Sequence, residues 1–364
     1  MQYFIKWQGE NRFKIIIDKT VHILYICIYT DGAHIYTAKY KMHERNVRLV
    51  EFEEVIVRGD YIMDTVLEVK NVSKHLERVI YKKNQKIGEH FDLKNIDFVI
   101  EPGYIVGMIG CNGCGKTSLI QTILGVYQPN KGEIWVAGHN RVTDAFAAKQ
   151  EIAFVMDESI FPIGMSAIDI GKGFGACYEA FDYGKYKELC ERFEIPMKKP
   201  MKKLSTGMKI KVQLAFAMAR EAKLYIFDEP SAGLDPVFRR ELMDYFFEIV
   251  ADGDKSILLS THLTEELDRI ADYILYMEDG EQRFFMEKEE MLGQYQLIRG
   301  TKNQVQYYWR RTVAMQEKEM SCEALVYNTG EEFRVPVAVE RPKIEKVMYY
   351  LMQEKKAGER KKNV

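Results

Sequence analysis

The stretch Tyr104-Ile-Val-Gly-Met-Ile-Gly-Cys-Asn-Gly-Cys-Gly-Lys-Thr-Ser-Leu-Ile-Gln-Thr-Ile-Leu124 decides how this chain is read. Its first six residues, Tyr104 to Ile109, form an apolar run that predicts a buried strand. The next eight, Gly110-Cys111-Asn112-Gly113-Cys114-Gly115-Lys116-Thr117, fit G-x-x-x-x-G-K-[ST], a loop whose backbone N–H groups wrap a polyphosphate. Gly110, Gly113 and Gly115 permit backbone angles and a close approach that a Cβ would obstruct. Lys116 is placed to reach the β- and γ-phosphates, and the Thr117 hydroxyl to bind Mg²⁺. From Ser118 to Leu124 the chain continues as a predicted helix whose positive N-terminal end faces the anion.

Around this loop, 364 residues make room for about two domain-sized units. Hydrophobic residues at 47% and charged residues at 29% support a packed core and exclude wholesale disorder. A net charge of -2 gives no global basic excess that would argue for nucleic acid as a partner. The longest apolar run, Val21 to Tyr29, includes His22 and is far shorter than the roughly 20 residues of a membrane helix. Six cysteines in so long a chain make no disulfide scaffold, which predicts a reducing, cytosolic setting.

Three zones differ in texture. Residues 1–62 are rich in Ile and Tyr, contain no Pro, and keep no helical or strand period for long. From Met63 to about Phe285, apolar strand-like runs alternate with amphipathic stretches, the pattern of an α/β domain with a mainly parallel sheet. A helical linker, two β-rich runs (Glu323 to Tyr327 and Phe333 to Val339) and a last helix are expected after that. This helix would have Pro342 at its first position and Ile344, Val347, Met348 and Leu351 on one face.

Further motifs follow in order. Leu224 to Phe227 predicts a second buried strand that ends in Asp228 and Glu229, placed to hold a Mg²⁺ shell and to polarise an attacking water. Pro230-Ser-Ala-Gly-Leu-Asp235 comes next; upstream, Leu204-Ser205-Thr206-Gly207-Met208 opens a helix expected over residues 209–220. Ile257 to Ser260 predicts a third strand, with Thr261 and His262 at its carboxyl end, where open α/β sheets place ligands.

This ordered set resembles the ATP-binding cassette (ABC) subunits of transporters over about residues 64–290. It is most similar to single-cassette bacterial subunits of ABC-2 type exporters, in particular those encoded beside GntR-like repressors, a likeness carried by residues 233–242 and 340–351. The resemblance implies a P-loop NTPase fold, an ABC-type nucleotide-binding domain over 63–293 with a helical subdomain at about 159–203, and a small C-terminal α+β domain over 294–364. It implies an ATP hydrolase in which two cassettes, as homo- or heterodimer, sandwich two ATP molecules with Mg²⁺. Residues 110–118 would bind the phosphates, with Ser118 closing the loop, and Ser205 and Gly207 would reach the γ-phosphate of the other subunit. Glu229 would be general base, His262 would hold the γ-phosphate and communicate with Asp235 across the dimer, and Thr117, Asp157 and Asp228 would serve the metal. A separately encoded membrane permease would be driven from the cytoplasmic face of the membrane, where the subunit would sit peripherally, with export as the expected direction.

Some positions depart from the family pattern. Asp157 stands where a glutamine is usual, and Thr206 and Met208 replace Gly and Gln in the signature, while Ser205 and Gly207 are kept. Phe91 and Tyr81 are both candidates for the aromatic platform under adenine, with Phe91 preferred. Cys111 and Cys114 form a C-x-x-C that lacks the partner pair of a zinc site, so small residues filling the loop are expected; Cys114, near a helix N-terminus, is expected to have a lowered thiol pKa. Phe161, Phe174, Tyr178 and Phe181 are expected either to face the membrane partner or to pack the small subdomain.

Two other function classes compete: a soluble assembly ATPase, and a cassette acting on nucleic acid or ribosomes. The second generally carries two cassettes or long coiled-coil insertions, and this sequence has one phosphate loop and no heptads. Residues 1–62 precede Met63, where cassettes of this kind usually start, and codons for Arg58-Gly59-Asp60 can spell a purine-rich ribosome-binding sequence. They are therefore expected to be partly or wholly a translated leader, the alternative being an accessory β-rich extension. Mass spectrometry of the native protein is expected to yield no tryptic peptide ending within residues 1–57; such a peptide overturns the leader reading.

Overall fold

In a computed structural model the chain divides into two compact units between Met63 and Asp64. The structure describes five strands of the first unit and residues 65–82, 85–319 and 321–362 of the second, with side chains for 65–77, 90–319 and 321–354. In the first unit β1 (Gln2–Tyr3), β2 (Arg12–Asp18), β3 (Ile23–Tyr29), β4 (His34–His43) and β5 (Asn46–Ile56) form an antiparallel sheet in chain order.

The second unit is built on a ten-stranded sheet. Its strands are β6 (Leu67–Lys82), β7 (Gln85–Ile100), β8 (Ile105–Ile109), β9 (Lys131–Val136), β10 (His139–Asn140), β11 (Ile152–Val155), β12 (Leu224–Asp228), β13 (Ser256–Ser260), β14 (Tyr273–Glu278) and β15 (Glu281–Glu287). They lie in the order β10-β9-β6-β7-β15-β14-β8-β13-β12-β11, and the five from β14 to β11 run parallel. Every residue of β8, β12 and β13 is buried, the condition of strands covered on both faces, and this is why each reads as an unbroken apolar run. Ser260 pairs with both Asp228 and Met108, so the carboxyl ends of β12, β13 and β8 reach the same edge of the sheet. The predicted α/β fold with a mainly parallel sheet is the fold observed.

Helices cover both faces. On one, α1 (Lys116–Ile123) packs with β6, β7 and β9; on the other lie α3 (Ala167–Gly173), α4 (Tyr183–Arg192), α5 (Thr206–Met218), α6 (Pro236–Val250) and α7 (Thr264–Ile270), while the short α2 (Ala145–Gln150) leads into β11. α5 begins at Thr206, three residues before the start expected from sequence, because the Ser205 side chain caps it by accepting from the Met208 N–H at 3.2 Å. Arg141 closes the other end of α1: its buried guanidinium donates to the carbonyls of Ile123, at 2.8 Å, and Leu124.

The aromatic residues between Phe161 and Phe181 pack inward. Phe161 is buried, and Phe161, Tyr178 and Phe181 surround Phe216 of α5 at ring separations of 5.2, 6.0 and 4.8 Å. Each such pair contributes about 0.5–1.5 kcal/mol beyond its buried area; Phe161 is packed away, while Phe174, Tyr178 and Phe181 pack on the cluster and stay half-buried. The exposed apolar side chains of this region are instead Ile160 and Ile163.

After α8 (Lys288–Gly293) come β16 (Tyr295–Gly300), α9 (Lys302–Gln306), β17 (Thr312–Glu317), β18 (Cys322–Tyr327), β19 (Ala338–Glu340) and α10 (Ile344–Lys362). The strands form an antiparallel sheet in the order β17-β18-β16-β19. β16 and β17 fall where a helical linker was expected, and most of the expected strand at Phe333 to Val339 is irregular. The physical reason lies at Tyr308, whose hydroxyl accepts from the Val335 N–H at 2.6 Å and donates to its carbonyl at 2.7 Å, standing in for a neighbouring strand. α10 starts at Ile344 rather than at Pro342, and Ile344, Val347 and Met348 are buried on the expected face.

Glu323 of β18 is buried at the centre of this sheet's contact with α10. Burial alone would raise its pKa, but Lys346 at 2.6 Å, Arg299 at 2.7 Å and the Tyr350 hydroxyl at 2.9 Å hold it down to about 2, against an ordinary 4.5. A depressed carboxylate stabilises the fold above its unfolded pKa, and that contribution is lost as pH falls through the folded value. Urea unfolding of the full chain between pH 4.5 and 2 should therefore show a steeper loss of stability in the parent than in Glu323→Gln; parallel pH profiles contradict this.

Candidate nucleotide-binding site

The phosphate loop connects β8 to α1 as expected. Gly115 sits at φ +108°, and a Cβ there would lie 2.7 Å from Phe91 Cζ, so both its conformation and the neighbouring ring require glycine. Phe91 is thereby placed against the loop, whereas the Tyr81 side chain lies outside the described residues. The Lys116 ammonium folds over the loop and donates to the carbonyls of Gly110 at 2.8 Å and Cys111 at 3.2 Å. Cys111, Asn112 and Gly113 are exposed at the loop's outer edge, and Ser118 is half-buried in the first turn of α1.

Asp228, the last residue of β12, accepts from the Thr117 hydroxyl at 2.9 Å. Its carboxyl is buried, and burial raises its pKa; the hydrogen bond from Thr117 opposes the rise, and the nearby charge of Asp157 adds to it. Thr117 and Asp228 are thus in contact, with Asp157 near enough for its charge to act on Asp228. This oxygen-rich set with an undercompensated buried charge suits a small hard divalent cation such as Mg²⁺.

Glu229 adopts φ +51°, a left-handed conformation rare for a non-glycine residue and worth about 1–3 kcal/mol of strain. Its N–H donates to the Ser260 carbonyl at 2.8 Å, which ties this strained turn to the end of β13. The turn brings Glu229 Oε2 within 2.7 Å of His262 Nδ1, pairing the two residues in one chain.

A second group lies around the start of α5. A Cβ on Gly207 would stand 2.6 Å from the Gly233 carbonyl, so the signature turn and the Ser231-Ala-Gly-Leu-Asp235 turn touch through backbone. Asp235 caps α6, accepting from the N–H groups of Val237 at 3.1 Å and Phe238 at 3.0 Å; the Phe238 bond leads in holding its carboxyl below the usual range.

Sequence reasoning missed two residues that link these parts. Gln213, buried on α5, uses both ends of its amide on Met156, accepting from its N–H at 3.3 Å and donating to its carbonyl at 3.1 Å. At about 1 kcal/mol per bond, this fixes the chain just before Asp157 to the helix that Ser205 caps. Glu266 of α7, also buried, accepts from Ser231 at 3.1 Å and Thr261 at 3.3 Å. The available signals were a lone glutamine inside the apolar run from Val212 to Met218 and a carboxylate one helical turn after His262.

Cys114 departs from its expected reactivity. It is buried beneath the loop, and burial raises its thiol pKa more than Lys116 and the local backbone lower it. The exposed loop thiol is Cys111. Peptide mapping after brief alkylation at neutral pH should find Cys111 modified well before Cys114; the reverse order contradicts the burial argument.

Comparison with known proteins accords with this geometry. A family model described as ABC transporter matches residues 93–232, and one described as an AAA domain matches 199–268. The chain is 30% identical over 208 residues to the ABC transporter ATP-binding protein YtrB of Bacillus subtilis (strain 168), covering 56% of this chain and 69% of that protein. It is 32% identical over 201 residues to the ABC-type transporter ATP-binding protein EcsA of the same organism, covering 52% and 79%. A Nod factor export ATP-binding protein I of Burkholderia lata is 29% identical over 202 residues, covering 54% and 66%. Among solved structures, an ATP-binding subunit of an ABC transporter superposes with a TM-score of 0.54 at 27% identity, over 62% of this chain and 92% of that one. A dimeric post-hydrolysis cassette bound to ADP and Pi shares the fold at a TM-score of 0.52 and 21% identity, over 61% and 98%. With YtrB and EcsA matched over more than two thirds of their length, and with a phosphate loop facing a glutamate–histidine pair just past the ends of adjoining parallel strands, this protein belongs to the ABC transporter ATP-binding protein family, an ATP-hydrolysing subunit of a transporter.

Proposed function

We propose that two cassettes close on two ATP molecules, each held between the phosphate loop of one subunit and the Ser205–Gly207 turn of the other. The observation that carries this reading is the meeting of Thr117 with Asp228 and of Glu229 with His262 at neighbouring strand ends. Residues 110–118 wrap the phosphates with backbone N–H groups and the Lys116 ammonium, and Phe91 lies beside the adenine. Thr117, Asp228 and Asp157 hold Mg²⁺, which when bound neutralises phosphate charge. Glu229 takes the proton from a water whose oxygen attacks the γ-phosphorus as the bond to the β–γ bridging oxygen breaks. His262 keeps the Glu229 carboxylate oriented and faces the γ-phosphate, and Asp235 answers it from the other subunit.

Residues 63–293 then form the motor and 294–364 an accessory domain. A separate membrane permease takes up the motion, with the subunit on the cytoplasmic face of the membrane and export as the direction; the export function in a relative's name supports that direction. Among the described residues no helix is long and apolar enough to cross a membrane. The permease docks at the groove of about 210 Å³ lined by Phe154, Ile160, Phe174 and Tyr178, close in sequence to exposed Ile163. Gln213 joins that region to the signature helix.

Replacing Glu229 by Gln keeps the shape of the side chain and removes its basicity. Turnover should fall by roughly 10²–10⁴ while ATP still binds, and size-exclusion chromatography with ATP should show a trapped dimer. Undiminished turnover removes Glu229 from the role of base.

A further inference from the structure

The hairpin of β6 and β7 carries a group of side chains that nucleotide chemistry does not use. His75 and Glu77 stand two residues apart on β6, and in the register of the pair they oppose Asp92 and His90 of β7. Alternation along each strand puts all four on one face of the ribbon. His75 Nδ1 is 2.5 Å from Asp92 Oδ1, which leaves its Nε2 to Glu77, whose Oε1 lies 3.5 Å away. The two imidazoles lie nearly parallel, 5.6 Å apart and inclined by 19°. One ligand atom from each of His75, Glu77 and His90 falls within 4.8 Å of the others.

We propose that His75, Glu77 and His90 form a surface site for a divalent transition ion of the zinc class, with Asp92 as the carboxylate that orients His75. Ligands about 2.0–2.1 Å from a tetrahedral ion are separated by roughly 3.4 Å, close to the 3.5 Å between His75 Nε2 and Glu77 Oε1. His90 completes the set by a small side-chain adjustment on an exposed strand, and water takes the fourth position. An imidazole bonded through Nδ1 to a carboxylate and coordinating through Nε2 is the arrangement in which a second carboxylate fixes tautomer and ring orientation. Two nitrogens and one oxygen favour zinc, copper or nickel over Mg²⁺ or Ca²⁺, so the millimolar Mg²⁺ that accompanies ATP does not compete.

The backbone under the site is fixed. The His75 N–H donates to Asn130 Oδ1 at 2.8 Å, and Gly280 packs directly on the Asp92 carbonyl. The ligands therefore stand on a positioned ribbon. A cross-strand cluster of exposed ion pairs is the competing account, and it gives Asp92 and Glu77 no part in binding a metal.

The test is titration of the nucleotide-free full chain with zinc chloride by calorimetry, comparing the parent with a His75→Ala/His90→Ala double variant. The parent is expected to bind one more equivalent than the double variant, and Asp92→Asn to weaken that equivalent about 10–100-fold. Copper(II) bound to the parent should show paramagnetic resonance splitting from two imidazole nitrogens, a readout that does not depend on the variants folding. Equal zinc stoichiometry and affinity in parent and double variant, or copper signals from thiolate or oxygen ligands alone, would overturn the site.

Discussion

The buried carboxylate of Asp228 is the constraint around which this protein is arranged. It ends a strand with neighbours on both sides, where solvent cannot reach it, and burial pushes its pKa upward. A fold that puts an anion there must surround it with donors and a cation. Thr117 from the phosphate loop supplies a donor, and the Ser260 carbonyl of neighbouring β13 accepts from the Glu229 N–H, so the loop, the middle of the sheet and the turn after β12 are held to a common point. The parallel register makes this possible, because Asp228 and Ser260 pair as neighbours at the ends of β12 and β13.

From that point outward, each motif is connected to the next by a specific contact. The strained turn at Glu229 is bonded to Ser260 and carries its carboxylate to His262. Glu266 bonds Ser231 and Thr261, so the turn after Glu229 and the segment holding His262 share one buried acceptor. Gly207 touches Gly233 through backbone, and Gln213 connects the same helix to Met156 beside Asp157. Met156 lies two residues from Phe154, which lines the groove beside Ile160. The strain at Glu229 suits a group whose position matters more than its comfort.

Much of this was legible in the sequence because the decisive signals are local. The strands at Ile105, Leu224 and Ile257 read as continuous apolar runs since both faces of the sheet are covered, and glycine at 115 reported a backbone that needs positive φ. What escaped reading depends on contacts distant in sequence. Cys114 looked activated from its place near a helix start, yet burial governs its thiol. The aromatic cluster around Phe216 could equally have faced outward until α5 supplied its centre. The segment 333–337 alternates like a strand, but the Tyr308 hydroxyl occupies the backbone groups of Val335 that a strand would use. The joining roles of Gln213 and Glu266 likewise exist only across separate elements.

The most direct measurement is the affinity of the full chain for ATP, with and without Mg²⁺, in the parent and in Asp228→Ala. If a cation bound at Asp228 and Thr117 joins the nucleotide to the sheet, Mg²⁺ should tighten ATP binding in the parent and give no such gain in the variant. Equal affinity with and without Mg²⁺ in the parent, or a full Mg²⁺ gain retained in Asp228→Ala, would contradict it.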